Sequence, residues 1–110
     1  VGFVSILKDK DYNTMLDEFK LFLNPLFLFK INNERTWEYT DIDSRHKDLT
    51  MYDNFYNAVR AAFQQNIDFK KPWVVCGSVL GVGEVFQYLK ITNLVNLDYE
   101  IFGTININTI

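Results

Sequence analysis

The stretch 71–90, KPWVVCGSVLGVGEVFQYLK, constrains the fold most. A short apolar run, Trp73–Cys76, stops at Gly77-Ser78, and helical spacing begins at once, with glycines at 81 and 83. That reads as a buried strand, a tight turn and a helix start. α/β proteins use this arrangement to hold anionic or polar ligands. Val82, Val85, Phe86 and Leu89 are the expected inner face of the helix, and Ser78 is placed to cap it.

The rest of the chain repeats the alternation. Gly2–Leu7 is a nearly continuous apolar run, the pattern of a strand buried on both faces. From Asp11 the apolar residues Tyr12, Met15, Leu16 and Phe19 fall at helical spacing. Asp9 or Asp11 can cap this helix, and Asn24-Pro25 ends it. Leu26–Ile31 reads as a second strand. Asn32–Asp48 is polar, irregular and 17 residues long, a length that often marks a functional segment. Leu49–Tyr52 is a short strand or an extended lead-in. Asp53 or Asn54 then caps a helix with Phe55, Ala58, Val59, Ala62 and Phe63 on one side.

The expected fold is therefore α/β: three Rossmann-like layers with a mostly parallel sheet. Residues 1–90 form the domain. Residues 91–110 are a tail in which Leu97–Phe102 and Thr104–Thr109 can form two short strands, an antiparallel edge to the sheet. Strands alternating with helices imply right-handed crossovers. Ligands in such sheets sit at the carboxyl ends of the strands, where Lys8–Asp11, Asn32–Arg35 and Gly77–Gly81 should meet.

Composition narrows the functions. With 110 residues, 48% hydrophobic and 16% aromatic, the chain can bury a modest core. The net charge of −3 and the lack of a basic stripe argue against nucleic acid as the main partner. No apolar run approaches the roughly 18 residues of a membrane span, and no signal peptide is visible. Cys76 is the single cysteine, which excludes an internal disulfide and suits a reducing cytoplasm. Its apolar strand makes it a buried small hydrophobe rather than a reactive thiol. The chain opens on Val1 directly into a strand, as a fragment or processed product would.

Each candidate constellation has a plainer reading. Lys8-Asp9-Lys10-Asp11 can hold a cation's water shell or neutralise phosphate, or be a solvated helix cap. Gly77-Ser78 through Gly83 lacks both the G-x-x-x-x-G-K-[ST] and the G-x-G-x-x-G spacing, so its glycines can simply allow close packing. Ser78 has no nearby histidine and reads as a cap, not a nucleophile. His46, the one histidine, is expected at the surface, and no His/Cys cluster suggests a metal site. Trp37 and Tyr39 either staple the long loop to the core or line a ligand site. Asp41, Asp43 and Asp48 read as a solvated acidic stretch.

Two segments together resemble one family. Val4-Ser5-Ile6-Leu7-Lys8-Asp9-Lys10-Asp11 with Met15-Leu16 is similar to a strand, an Asp-Lys-Asp turn and a helix opening near "ML". Val74-Val75-Cys76-Gly77-Ser78 with Gly83-Glu84-Val85 is similar to a late "V-x-x-G-S-x-x-x-x-G-E-V". Both patterns belong to the C-terminal domain of folylpolyglutamate synthase/dihydrofolate synthase, in the Mur ligase superfamily. The resemblance covers about residues 2–90, with the Ala-rich helix 54–65 between its two motifs. It implies an ATP- and magnesium-dependent ligase that joins L-glutamate to folate or dihydropteroate through an acyl phosphate.

On that resemblance the P-loop and principal metal ligands lie in a separate N-terminal ATPase domain, and this chain is inactive alone. Asp9, Lys10, Asp11, Gly77 and Ser78 would face the interdomain cleft, with no catalytic or metal-ligating residue assigned here. An Asp-Gly-Ala-His-Asn strand, expected before Gly2 and central in the sheet, is absent, and the 91–110 tail matches nothing in the pattern. A small non-catalytic α/β interaction module, binding through the Trp37/Tyr39 loop, and a flavodoxin-like nucleotide binder are the alternatives.

Overall fold

The computed structural model describes residues 1–66, 72–92, 95–99 and 105–107. Four strands, β1 (Gly2–Ser5), β2 (Leu26–Phe29), β3 (Met51–Tyr52) and β4 (Val74–Gly77), form one all-parallel sheet in the order β3-β2-β1-β4. The helices are α1 (Tyr12–Phe22), α2 (Phe55–Gln64) and α3 (Val79–Thr92). β5 (Val95–Tyr99) and β6 (Ile105–Ile107) pair antiparallel as a separate two-stranded sheet. β6 lies within the expected Thr104–Thr109, β5 starts two residues before the expected Leu97–Phe102, and among the described residues the pair is a sheet of its own rather than an edge of the main sheet. Residues 100–104 and 108–110 lie outside the described residues.

Alternation along the strands builds two cores. Phe27 and Phe29 of β2 and Phe3 of β1 point to one face, against Phe55, Ala58, Val59 and Ala62 of α2 and Val85 and Leu89 of α3. Leu26, Leu28, Val4 and Ile6 point to the other, against Leu16 of α1 and the loop residues Trp37 and Ile42. Both faces are covered, which is why the central strands read as unbroken apolar runs. On the first face Phe3 stacks on Phe27 at 5.4 Å and meets Phe55 edge-on at 5.3 Å, the offset and T-shaped geometries aromatic rings favour.

Helix starts follow the sequence in two cases of three. Asn54 Oδ1 accepts the Asn57 amide at 2.8 Å, and Ser78 Oγ accepts the Gly81 amide at 3.0 Å. Asp11 stands at the start of α1 but makes no side-chain cap bond, and Asp9 is engaged elsewhere. On α3 the expected inner face is partly wrong. Val85 and Leu89 are buried, but Phe86 is 42% exposed and buried Gly81 takes the inward position of the first turn. The reason is proximity: a Cβ on Gly81 would lie 3.0 Å from Ser5 Cβ. A side chain there would sit closer to Ser5 and Ser78 Oγ than ordinary van der Waals contact allows, so glycine lets the helix lie near β1.

The central strand expected before Gly2 leaves no gap. β1 pairs directly with β4 over Gly2↔Val74 to Ser5↔Gly77. Among the described residues no helix is long and apolar enough to cross a membrane.

Candidate functional site

α1 leaves the end of β1 over one face of the sheet, and α3 leaves the end of β4 over the other. The adjacent strands β1 and β4 therefore flank a switch point, where open α/β sheets form a crevice at their carboxyl ends. Each predicted loop follows one of these two strands. Gly77 and Ser78 continue directly beside Ser5, and the Ser78 amide donates to the Ser5 carbonyl at 2.7 Å. Asp9, Lys10 and Asp11 follow β1 and are exposed.

The Gly77 glycine serves the backbone. Its φ is +118°, and a Cβ would fall 2.0 Å from the Ser5 carbonyl oxygen. Ser78 Oγ is used by its own helix, accepting the Gly81 amide. Ser5 Oγ is buried with no hydrogen-bond partner among the described residues and lies beneath the first turn of α3. Gly77-Ser78 is thus a tightly packed turn, and no group of three or more His, Cys, Asp or Glu among the described residues could hold a metal.

The third segment clamps the first. The 35–36 backbone crosses the end of β1: the Lys8 amide donates to the Arg35 carbonyl at 2.9 Å, and Leu7 bridges Thr36 antiparallel. Arg35 reaches Asp9 at 2.5 Å, and this hydrogen-bonded guanidinium holds the Asp9 carboxyl below its ordinary value. Asp9 is therefore committed to an ion pair. Lys8 and Lys10 are exposed and make no ion pair among the described residues. Arg35 was missed as a partner of Asp9, although opposite charges in two segments sent to one sheet edge were a usable signal.

The long loop is ordered by burial. Trp37 is fully buried, and its indole N–H donates to the Phe29 carbonyl at 2.9 Å. It is the staple, and it offers no surface to a partner. Tyr39 is 42% exposed, its hydroxyl donates to the Lys47 carbonyl at 2.9 Å, and the Lys47 ammonium lies over its ring. His46, expected at the surface, is buried with 1% exposure. Its Nε2 lies 3.0 Å from the Asn13 carbonyl and 2.9 Å from Asp17 Oδ1. The acidic stretch is largely paired: Asp43 with Arg45, Asp48 with Lys20, and Asp41 in a reciprocal cap with Glu38. Cys76 is half-buried, and burial pushes its thiol up to about 11, which suits an inert packing residue.

These ion pairs set an acid limit. Hydrogen bonds from Arg35, Arg45 and Lys20 hold Asp9, Asp17 and Asp48 below their ordinary 3.8. A carboxyl depressed on folding stabilises above its unfolded value and loses that contribution as pH falls through the folded value. The urea midpoint is expected to fall below about pH 4, and to fall less in Asp17→Asn. A midpoint unchanged from pH 5 to pH 2.5 would contradict this.

The sheet edge also opens a cleft of about 510 Å³ that the sequence did not reveal. It lies where the end of β2, the start of α2 and the first half of α3 converge. Its signals were Asn32-Asn33 and Gly83-Glu84, which are far apart in the chain. Comparison with protein-family models, with curated proteins and with solved structures finds no match for this chain.

Proposed function

We propose that this chain is the C-terminal domain of a cytoplasmic, ATP-dependent ligase that adds L-glutamate to folate or dihydropteroate. What supports the reading is one arrangement: the Asp9-Lys10-Asp11 and Gly77-Ser78 turns end neighbouring strands at the switch point. They occur there in the chain order that the resemblance requires. The domain acts as one wall of a cleft whose phosphate and magnesium equipment belongs to an N-terminal partner domain. Lys8 and Lys10 are the cations this wall can offer to anionic groups, because Asp9 is already neutralised by Arg35. Positioned cations of this kind stabilise charge that develops during acyl transfer.

The upstream coding sequence tests the reading. A P-loop and an Asp-Gly-Ala-His-Asn strand are expected there, and the lack of both would sink it. The 110-residue chain alone is expected to bind ATP weakly or not at all by calorimetric titration. Submillimolar affinity would contradict placing the main phosphate site elsewhere.

A further inference from the structure

We propose that this chain pairs with a second copy of itself along β4, joining the two main sheets into one continuous sheet across a two-fold axis. The proposal goes beyond the ligase reading and does not depend on it. It rests on the outer side of β4 and on the lack of charge there.

β4 is the outermost strand of the main sheet. On its inner side the Val74 amide donates to the Val1 carbonyl at 2.8 Å, and the Ser78 amide to the Ser5 carbonyl at 2.7 Å. Alternate residues of a paired strand turn their backbone groups to opposite sides. Val75 and Gly77 therefore point their N–H and C=O groups outward, and among the described residues no strand pairs with them. One face of β4 is also thinly covered. Val75 packs toward α2 and α3. On the other face Cys76 is half-buried against the α1 core, and Val74 is 40% exposed. Val79 and Leu80, in the first turn of α3, are exposed as well.

Sheet edges that stay monomeric are ordinarily blunted by shortness or by charge. The opposite edge follows that rule: β3 has two residues and lies between Asp48 and Asp53. β4 does not. From Pro72 to Gly83 there is no Asp, Glu, Lys or Arg, although 23% of the chain is charged.

The missing charge selects the partner. In a two-fold interface each patch meets itself, so a charge near the axis faces its own copy and is repelled. An uncharged edge is complementary to itself. Antiparallel pairing centred on Val75 sets Val75 against its own copy and Val74 against Cys76 of the second copy. The opposed Val75 residues exchange both backbone hydrogen bonds, their β-branched side chains pair across the strands, and the exposed Val74 gains an apolar neighbour. Pro72, which has no N–H, and the turn at Gly77 bound the paired stretch.

The test is the oligomeric state of the 110-residue chain by sedimentation equilibrium from micromolar to millimolar concentration, with backbone hydrogen exchange at both ends of that range. A species of twice the 13.0 kDa chain mass is expected at the upper end. Protection of the Val75 and Gly77 amides should rise with concentration, while that of the inward Val74 and Ser78 amides stays constant. Val74→Lys places a charge beside the axis and should weaken dimerisation at least tenfold, with an unchanged urea midpoint at micromolar concentration showing an intact fold. Leu21→Lys, at an exposed apolar position on α1, should leave dimerisation unchanged. The exchange measurement on the parent chain decides the matter even if the Val74 variant loses stability. A single 13.0 kDa species throughout the range would overturn the proposal. So would a dimer that a folded Val74→Lys variant still forms at full strength, or one whose newly protected amides lie outside β4.

Discussion

Gly77→Ala is expected to cost about 3–5 kcal/mol and to leave much of the protein unfolded at room temperature. Two effects add at this position. The φ of +118° is strained for any residue with a Cβ, and that Cβ would fall 2.0 Å from the Ser5 carbonyl oxygen. The obstacle is backbone of the neighbouring strand, so no rotamer relieves it. Relief requires β4 to move away from β1, which breaks the bond between the Ser78 amide and the Ser5 carbonyl. Against a total stability of about 5–15 kcal/mol, the loss is large. Gly83→Ala is the matched control: the space around it is open, and alanine in a helix is favoured over glycine by about 0.8–1 kcal/mol. Urea unfolding of the two variants should move the midpoint in opposite directions. Equal midpoints for Gly77→Ala and the parent chain would refute the strained turn.

Trp37→Ala is expected to cost about 3–5 kcal/mol, as truncation of a buried large aromatic does. The indole fills the space among Val4, Ile6, Leu16, Leu28 and Ile42, and Tyr12 meets it edge-on at 6.1 Å. Trp37→Phe separates packing from hydrogen bonding. It keeps a ring but removes the donor to the Phe29 carbonyl, so a loss of about 1–3 kcal/mol is expected from the unsatisfied carbonyl. Denaturant unfolding followed by circular dichroism checks both. If Trp37→Ala unfolded at the parent midpoint, the loop would not be anchored through this side chain.

Local signals carried most of the fold. Phe55, Ala58, Val59 and Ala62 share one helical stripe, and the structure buries that stripe. The apolar runs at β1 and β2 marked strands covered on both faces. α3 misled because its apolar residues cover most of its circumference, so spacing does not choose a side. The choice was made by the closeness of Ser5 to Gly81, a fact about β1 rather than about α3. His46 failed for a similar reason: its partners Asn13 and Asp17 lie on α1, some thirty residues away. At the site, the two turns were legible because each follows a recognisable strand. The Asp9–Arg35 clamp and the cleft were not, since both join segments that only the folded sheet brings together.

β1 lies between β2 and β4, and its two neighbours arrive at very different times. Gly2 aligns with Leu26 on one side and with Val74 on the other. During synthesis at about 5–20 residues per second, β2 is available within a few seconds of β1. The second neighbour is about seventy residues away, and its loop must close before any contact rewards it. For that interval β1 presents one open row of amides and carbonyls. The nascent chain is therefore most exposed to mispairing along this one strand, and the last structural event to protect it is the docking of the segment that ends in Gly77.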